Sequence, residues 1–204
     1  MPILRLHFNG FTLKKLIVMN LKYTITLYSV WHCGSGESKG ADLDALVIKD
    51  KNGLPFIPGK TIKGLIKDGM QTILDYQPGL ITEGDIRTIF GEEGIQTGLC
   101  FFSNAALPIE ISNYLSSEGG FAYQKHLFNK HSSTAIDPET GVAVEHSLRS
   151  IEVTIPLELE GEIMDVPENL LEKVELAMKM VKNLGVGRNK GLGRCSFKLK
   201  GGIK

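Results

Sequence analysis

Leu21, Tyr23, Ile25 and Leu27 alternate with Lys22, Thr24, Thr26 and Tyr28, the period of a strand with one buried face. Residues 31–44 are rich in glycine and small polar groups and predict a loop at that strand's end. From Lys60 the period lengthens, with Ile62, Leu65, Ile66, Met70, Ile73 and Leu74 at helical spacing and Lys60, Lys63 and Lys67 on another face. Gly64 and Gly69 each weaken such a helix by roughly 1 kcal/mol against Ala, which implies something packed close to its backbone. A turn, a short helix and a loop are expected over 78–93 and a second strand over 99–107. A hairpin is signalled at 136–143, where Asp137-Pro138 starts a turn and Gly141 can take positive φ. Ile151, Val153 and Ile155 alternate with Glu152 and Thr154, predicting a third strand over 148–159. A helix is expected over 168–184 and a last strand from Cys195. The order is βαββαβ, the ferredoxin-like α+β arrangement that RNA-recognition domains also use. It carries a loop insertion after the first strand and a hairpin insertion, about 108–147, between the second and third, in one domain over 1–204.

Between the last helix and the last strand lies GVGRNKGLGRCSFKLK (185–200). Gly185, Gly187, Gly191 and Gly193 are threaded with Arg188, Asn189, Lys190 and Arg194. Glycines let backbone N–H groups and a ligand approach each other, and the cations supply charge that an anion would seek. Both familiar nucleotide loops place their glycines after a strand and before a helix. Here the order is reversed and no Gly-Lys-Ser/Thr ending is present. A polynucleotide backbone therefore fits better than a mononucleotide, against the plainer alternative of a flexible connector. The first-turn amides of the helix near Lys60, Thr61 and Lys63 are a second candidate anion site.

Charge balances overall, 23 basic against 23 acidic residues, so only its distribution bears on partners. Residues 179–204 hold eight Lys or Arg and no acid, whereas 158–175 hold seven acids and one Lys. That segregation predicts a basic face opposite an acidic one. Three scattered cysteines suggest neither a disulfide framework nor zinc, and reduced thiols point to the cytoplasm. No apolar run approaches the ~20 residues of a membrane span. Residues 1–18 fit no pattern and read as an N-terminal extension, with the start at Met1 or Met19.

The stretches LPFIPGKTIKGLIKD, IFGEEGIQTGLCFFSNAAL, STAIDPETGVAVEHSLR and GVGRNKGLGRCSFKL together resemble the RAMP superfamily, most of all the small backbone subunit of type III CRISPR effector complexes. The resemblance implies copies stacked along a guide RNA, together with other effector subunits. RNA would be gripped through Lys60, Thr61 and Lys63 and through Gly185, Gly187, Arg188, Asn189, Lys190, Gly191 and Arg194. The hairpin, with Ile136, Asp137, Thr140 and Gly141, would be a thumb that interrupts pairing at intervals, with complementary target RNA cut beside it. Pro138 stands where the family commonly has arginine. Aligning the VIKD of GADLDALVIKD places the family's catalytic aspartate at Asp44, with one extra residue after Gly40 and with Ala45-Leu46 in place of Ser-Pro. Asp42 is the rival.

Three activities follow. A carboxylate at Asp44 could hold a divalent ion, Mg2+ or Mn2+, while a ribose 2′-OH attacks the neighbouring phosphate. The chain could instead be a binding-only scaffold of the same complex. A metal-independent processing ribonuclease would need a general base, for which His32 is the candidate. His126, His131 and His146 show no ligand pattern.

Overall fold

The computed structural model describes residues 17–40 and 42–201; residues 1–16, which carry most of the expected extension, lie outside. Strand β1 (Val18–Leu27) buries Leu21, Tyr23, Ile25 and Leu27. Met19 belongs to this strand and pairs with Val166, so the strand starts earlier than its alternation suggests. After a long irregular segment comes helix α1 (Gly59–Tyr76), which buries Ile62, Ile66, Met70 and Ile73 along one stripe. Helix α2 (Glu83–Phe90) opens on a capping box between Thr82 and Asp85. Burial alone would raise the Asp85 carboxyl, but Lys173 at 2.7 Å and the Thr82 groups hold it below the ordinary carboxylate range.

A small hairpin, β2 (Gly91–Glu92) and β3 (Gln96–Thr97), leads to β4 (Phe101–Phe102). The insertion that follows holds α3 (Ile109–Leu115), a 3-10 segment (Phe121–Leu127) and an antiparallel ribbon of β5 (Phe128–Ser133) and β6 (Arg149–Thr154). Strand β7 (Glu158–Pro167), helix α4 (Leu171–Met180) and strand β8 (Cys195–Leu199) complete the chain. The main sheet runs β4-β7-β1-β8 with every neighbouring pair antiparallel. That is the ferredoxin-like order, and α1 and α4 pack together over it. Among the described residues no helix is long and apolar enough to cross a membrane.

The expected third strand is corrected. Its alternation from Ile151 to Thr154 belongs to β6, with Ile155 just beyond the strand's end, and β6 pairs with β5 in the ribbon rather than with the main sheet. The third sheet strand is β7, where Leu159 and Ile163 are fully buried. Its inward position between them is Gly161, where a Cβ would stand 2.4 Å from the Tyr23 hydroxyl. Tyr23 fills that place from the neighbouring strand, so β7 shows a gap where an alternation should show an apolar residue. The second strand is also shorter than expected: beyond Phe102 only Ala105 and Ala106 make isolated bridges, to Ile57 and Glu160.

The last helix ends at Met180 because Val181 turns extended, although Val181 and Leu184 remain buried. Of the two helix glycines, Gly69 has the expected neighbour, with a Cβ placed 2.7 Å from the Ala177 carbonyl oxygen of α4. Gly64 has none: a Cβ there meets nothing within 4 Å. All three cysteines are buried, and desolvation pushes the Cys33 and Cys100 thiols up to about 12, with Asp165 adding to the rise at Cys100.

The expected division into a basic and an opposed acidic face does not form. The two runs meet across the open face of the sheet, where Lys200 pairs with Glu160 and Thr26 donates to Glu158. Strand register places Lys22 opposite Glu162, and Lys198 beside Thr24.

Candidate nucleic-acid interface

Helix α1 begins at a Pro-Gly turn because the chain passes hard against β4 there. A Cβ on Gly59 would come within 2.1 Å of the Phe102 carbonyl oxygen, and the Gly59 N–H donates to Asn104 Oδ1 at 2.9 Å. The Thr61 and Ile62 N–H groups both donate to the Pro58 carbonyl. The first-turn amides are therefore largely used within the protein, contrary to the expected amide anion site. What α1 offers an anion is its side chains: no acid stands in the first turn, and Lys60 and Lys67 are exposed with Lys63 half-buried.

Lys63 and Lys67 line a cleft of about 660 Å³ against the β2–β3 hairpin. On the other flank of α1, Leu65, Asp68 and Thr72 form a second cleft, about 310 Å³, with Lys182, Asn183, Arg188 and Asn189. At 3.6 residues per turn, Gly64 falls on the surface between these flanks. The glycine loop thus reaches α1 through Arg188 and Asn189, and the two sequence-predicted basic sites border one helix surface.

The loop's glycines divide by task. Gly185 and Gly193 have φ of +77° and +67°, and a Cβ on them would stand 2.3 Å from His32 O and 1.9 Å from Leu184 O. These two dock the loop. Val186 N–H donates to His32 O at 3.0 Å and Gly193 N–H to Val30 O at 2.8 Å. Gly187 and Gly191 bound a 3-10 turn, Arg188–Lys190, whose side chains are exposed, as is Arg194. Among the described residues, none of Lys60, Lys63, Lys67, Arg188, Lys190 and Arg194 forms a salt bridge, whereas Lys49, Lys130, Lys173, Lys179 and Lys200 each do.

The carboxylates of the loop after β1 are held differently. Asp44 is exposed; its N–H donates to Ser150 O and its Oδ2 accepts from Ser150 N–H, both at 2.7 Å. This pins it to β6 while Oδ1 makes no hydrogen bond among the described residues. Asp42 lies in the turn closed by Lys39 and Leu43, where its N–H donates to Lys39 O at 3.2 Å and its carboxylate stands 3.6 Å from Lys130 Nζ. The VIKD residues after Asp44 are structural: Ile48 N–H donates to Cys33 O, and Asp50 Oδ1 accepts from Asn52 and Leu54 N–H.

His32 is 2% exposed, with Nδ1 2.6 Å from the Glu152 carbonyl oxygen. It is a core histidine. The residue that sequence reasoning passed over is Glu152, visible there only as one polar member of an alternation. Its carboxylate accepts from Val47 N–H at 3.0 Å and from Lys49 Nζ at 2.8 Å.

The hairpin closes as its residues predict. Ile136 bridges Ala143, and Gly141 takes φ +69°. Asp137 Oδ1 accepts from the Thr140 and Glu139 N–H groups, which hold its carboxyl below the ordinary range. Ile136, Val142, Val144 and Leu148 are exposed at this end of the ribbon.

Glycine loop, aspartate loop and ribbon meet at one short segment. Val30 and His32 accept from the glycine loop, Trp31 pairs with Thr154 of β6, and Cys33 accepts from Ile48. Among the described residues no group of three His, Cys, Asp or Glu side chains could hold a metal ion. A single fixed carboxylate with one free oxygen fits an ion held mainly by phosphate and water, as Mg2+ commonly is.

The sequence model of the RAMP superfamily matches residues 24–196. The chain is 14% identical, at a TM-score of 0.64, to a chain of the type III-B Cmr-β complex bound to cognate target RNA, covering 89% of this chain and 97% of that one. A chain of the apo Cmr-β structure is 13% identical with the same TM-score and coverage. No curated protein matches the sequence.

Proposed function

The chain belongs to the RAMP superfamily, and from that premise we propose that it is an RNA-binding backbone subunit of a type III CRISPR effector complex that cleaves complementary target RNA. The observation that carries the binding half is the set of cations without a salt bridge among the described residues, exposed Lys60, Arg188, Lys190 and Arg194 and half-buried Lys63, around one helix and one loop. Phosphates of a guide RNA complete their pairing, with Thr61 and Asn189 as neutral donors beside them. The solved relatives of the same fold come from a complex whose RNA-bound form contains target RNA, which agrees with this partner. Further copies of the chain and other effector subunits are its protein partners.

For cleavage, Asp44 is the carboxylate and Asp42 its exposed rival. A Mg2+ or Mn2+ ion bound there would shield the scissile phosphate. Asp44 orients its free oxygen by resting Oδ2 on Ser150 N–H, and the ribbon, ending in Ile136, Asp137, Thr140 and Gly141, is the candidate thumb. Attack by the ribose 2′-OH on the adjacent phosphate would release a 5′-OH and leave a cyclic phosphate. One carboxylate supplies little acid-base catalysis, so positioning of the RNA carries much of the rate. A binding-only scaffold is the second reading, favoured by the bond from Ser150 N–H, which gives Asp44 a structural task of its own. The buried His32 speaks against a metal-independent processing enzyme.

The test is a reconstituted complex with a guide and its complementary RNA, in Mg2+, Mn2+ or chelator, comparing parent with Asp44→Ala. A regular ladder that needs metal and disappears in the variant is expected. An uncut but protected target in the parent would make the chain a scaffold.

A further inference from the structure

Residues 44–47 lie along β6 like a short added strand. Asp44 and Ser150 exchange two hydrogen bonds, Ala45 bridges Ile151 in parallel sense, and Glu152 N–H donates to Ala45 O at 2.9 Å. The next rung has no backbone acceptor, and the Glu152 side chain supplies one: Oε2 accepts from Val47 N–H while Oε1 accepts from Lys49 Nζ. Lys49 Nζ in turn sits 3.9 Å above the Phe128 ring of β5. The Glu152 carbonyl faces His32 Nδ1, so this residue ties together the aspartate loop, both ribbon strands and the segment that anchors the glycine loop.

We propose that Glu152 is the positioning residue of Asp44, locking the segment that carries it onto the ribbon so that carboxylate and thumb hold one fixed relation. The proposal rests on the reading of Asp44 as the cleaving carboxylate. Glu152 is not itself a catalytic residue, because both its oxygens are engaged and its side chain is only 13% exposed. Its removal leaves the Val47 N–H and the Lys49 ammonium without their acceptor, in a place where unsatisfied groups drive rearrangement. Asp44, three residues before Val47, would keep its Ser150 bonds and the backbone bond from residue 152 to Ala45 O but lose the side-chain tie that fixes the rest of the segment to β6.

The test compares parent, Glu152→Ala, Glu152→Gln and Asp44→Ala in the reconstituted guide complex, by single-turnover cleavage at saturating target and by target affinity. Amide hydrogen exchange of 42–49 and of β1 is followed in the same complexes. A misplaced carboxylate predicts cleavage slowed on the order of 10- to 100-fold in Glu152→Ala, with target affinity unchanged. Exchange in 42–49 should speed up while β1 stays protected. Glu152→Gln keeps an acceptor for Val47 N–H and should recover part of both effects. Cleavage at the parental rate in Glu152→Ala while Asp44→Ala is dead overturns the positioning role and leaves the reading of Asp44 intact. A loss of target affinity in step with rate, or unchanged exchange in 42–49, also overturns it. If Asp44→Ala cuts like the parent, the reading of Asp44 fails and the service of Glu152 to cleavage fails with it.

Discussion

Lys63 and Arg188 lie on opposite flanks of α1, one in each cleft, and neither forms a salt bridge among the described residues. If each neutralises one phosphate, Lys63→Ala and Arg188→Ala should each weaken guide binding for every sequence alike. Each should also reduce the slope of log affinity against log salt by roughly 0.7 to 0.9. Filter binding across a salt series reads both, and a loss confined to one base composition would refute phosphate contact. These cations were legible because the sequence shows them between glycines and at a Pro-Gly helix start. The use of the glycines was not. Gly185 and Gly193 are demanded by His32 and Leu184, neighbours that only the folded chain brings near. The same limit hid Glu152, whose importance lies in hydrogen bonds to Val47 and Lys49, more than 100 residues away in the chain.

Gly64 and Gly69 look alike in sequence and differ in the folded helix. Gly69→Ala sets a Cβ against the Ala177 carbonyl of α4, an overpacking that costs about 1–3 kcal/mol and outweighs the helix-propensity gain. Gly64→Ala meets open space and should stabilise α1 by up to about 1 kcal/mol, raising Tm by a few degrees (about 2–4 °C). If RNA crosses α1 between the clefts, that same stabilised variant binds guide more weakly, because its methyl group stands where the strand would lie. Thermal unfolding and guide titration on the two variants check both signs; a Gly64→Ala protein with parental affinity would move the RNA path off this surface. Elements themselves were readable to the degree that their burial was periodic. α1, α4, β1 and β8 keep their patterns, whereas β7 loses its inward residue at Gly161 to Tyr23 and reads as an acidic run. β6 shows a clean alternation in sequence yet serves the ribbon, where Val153 and the adjacent Thr154 are both buried, because alternation does not say which sheet a strand joins.

The molecule as a whole gathers Lys60, Lys63, Lys67, Arg188, Lys190 and Arg194, without salt bridges among the described residues, around α1 and the glycine loop, and leaves the open face of the sheet mixed in charge, where Lys22 and Lys198 also lack one. In RNA-recognition domains of this topology the sheet face stacks bases on aromatic side chains. Here the outward positions of the paired central strands are Lys22, Thr24 and Thr26 of β1 against Glu158, Glu160 and Glu162 of β7, with no aromatic among them. Their carboxylates would repel a phosphate backbone, and Lys200 is already paired with Glu160. On the proposed reading the shared topology carries a different interface, built on the helix and loop side. Substituting both Lys22 and Lys198 by Ala should leave guide affinity and its salt slope unchanged. The double variant Lys60→Ala, Arg188→Ala removes the same formal charge from α1 and the loop beside it and should lower both. Equal losses in the two double variants would mean that net charge alone draws RNA to the protein, and that neither α1 nor the glycine loop forms a defined track for it.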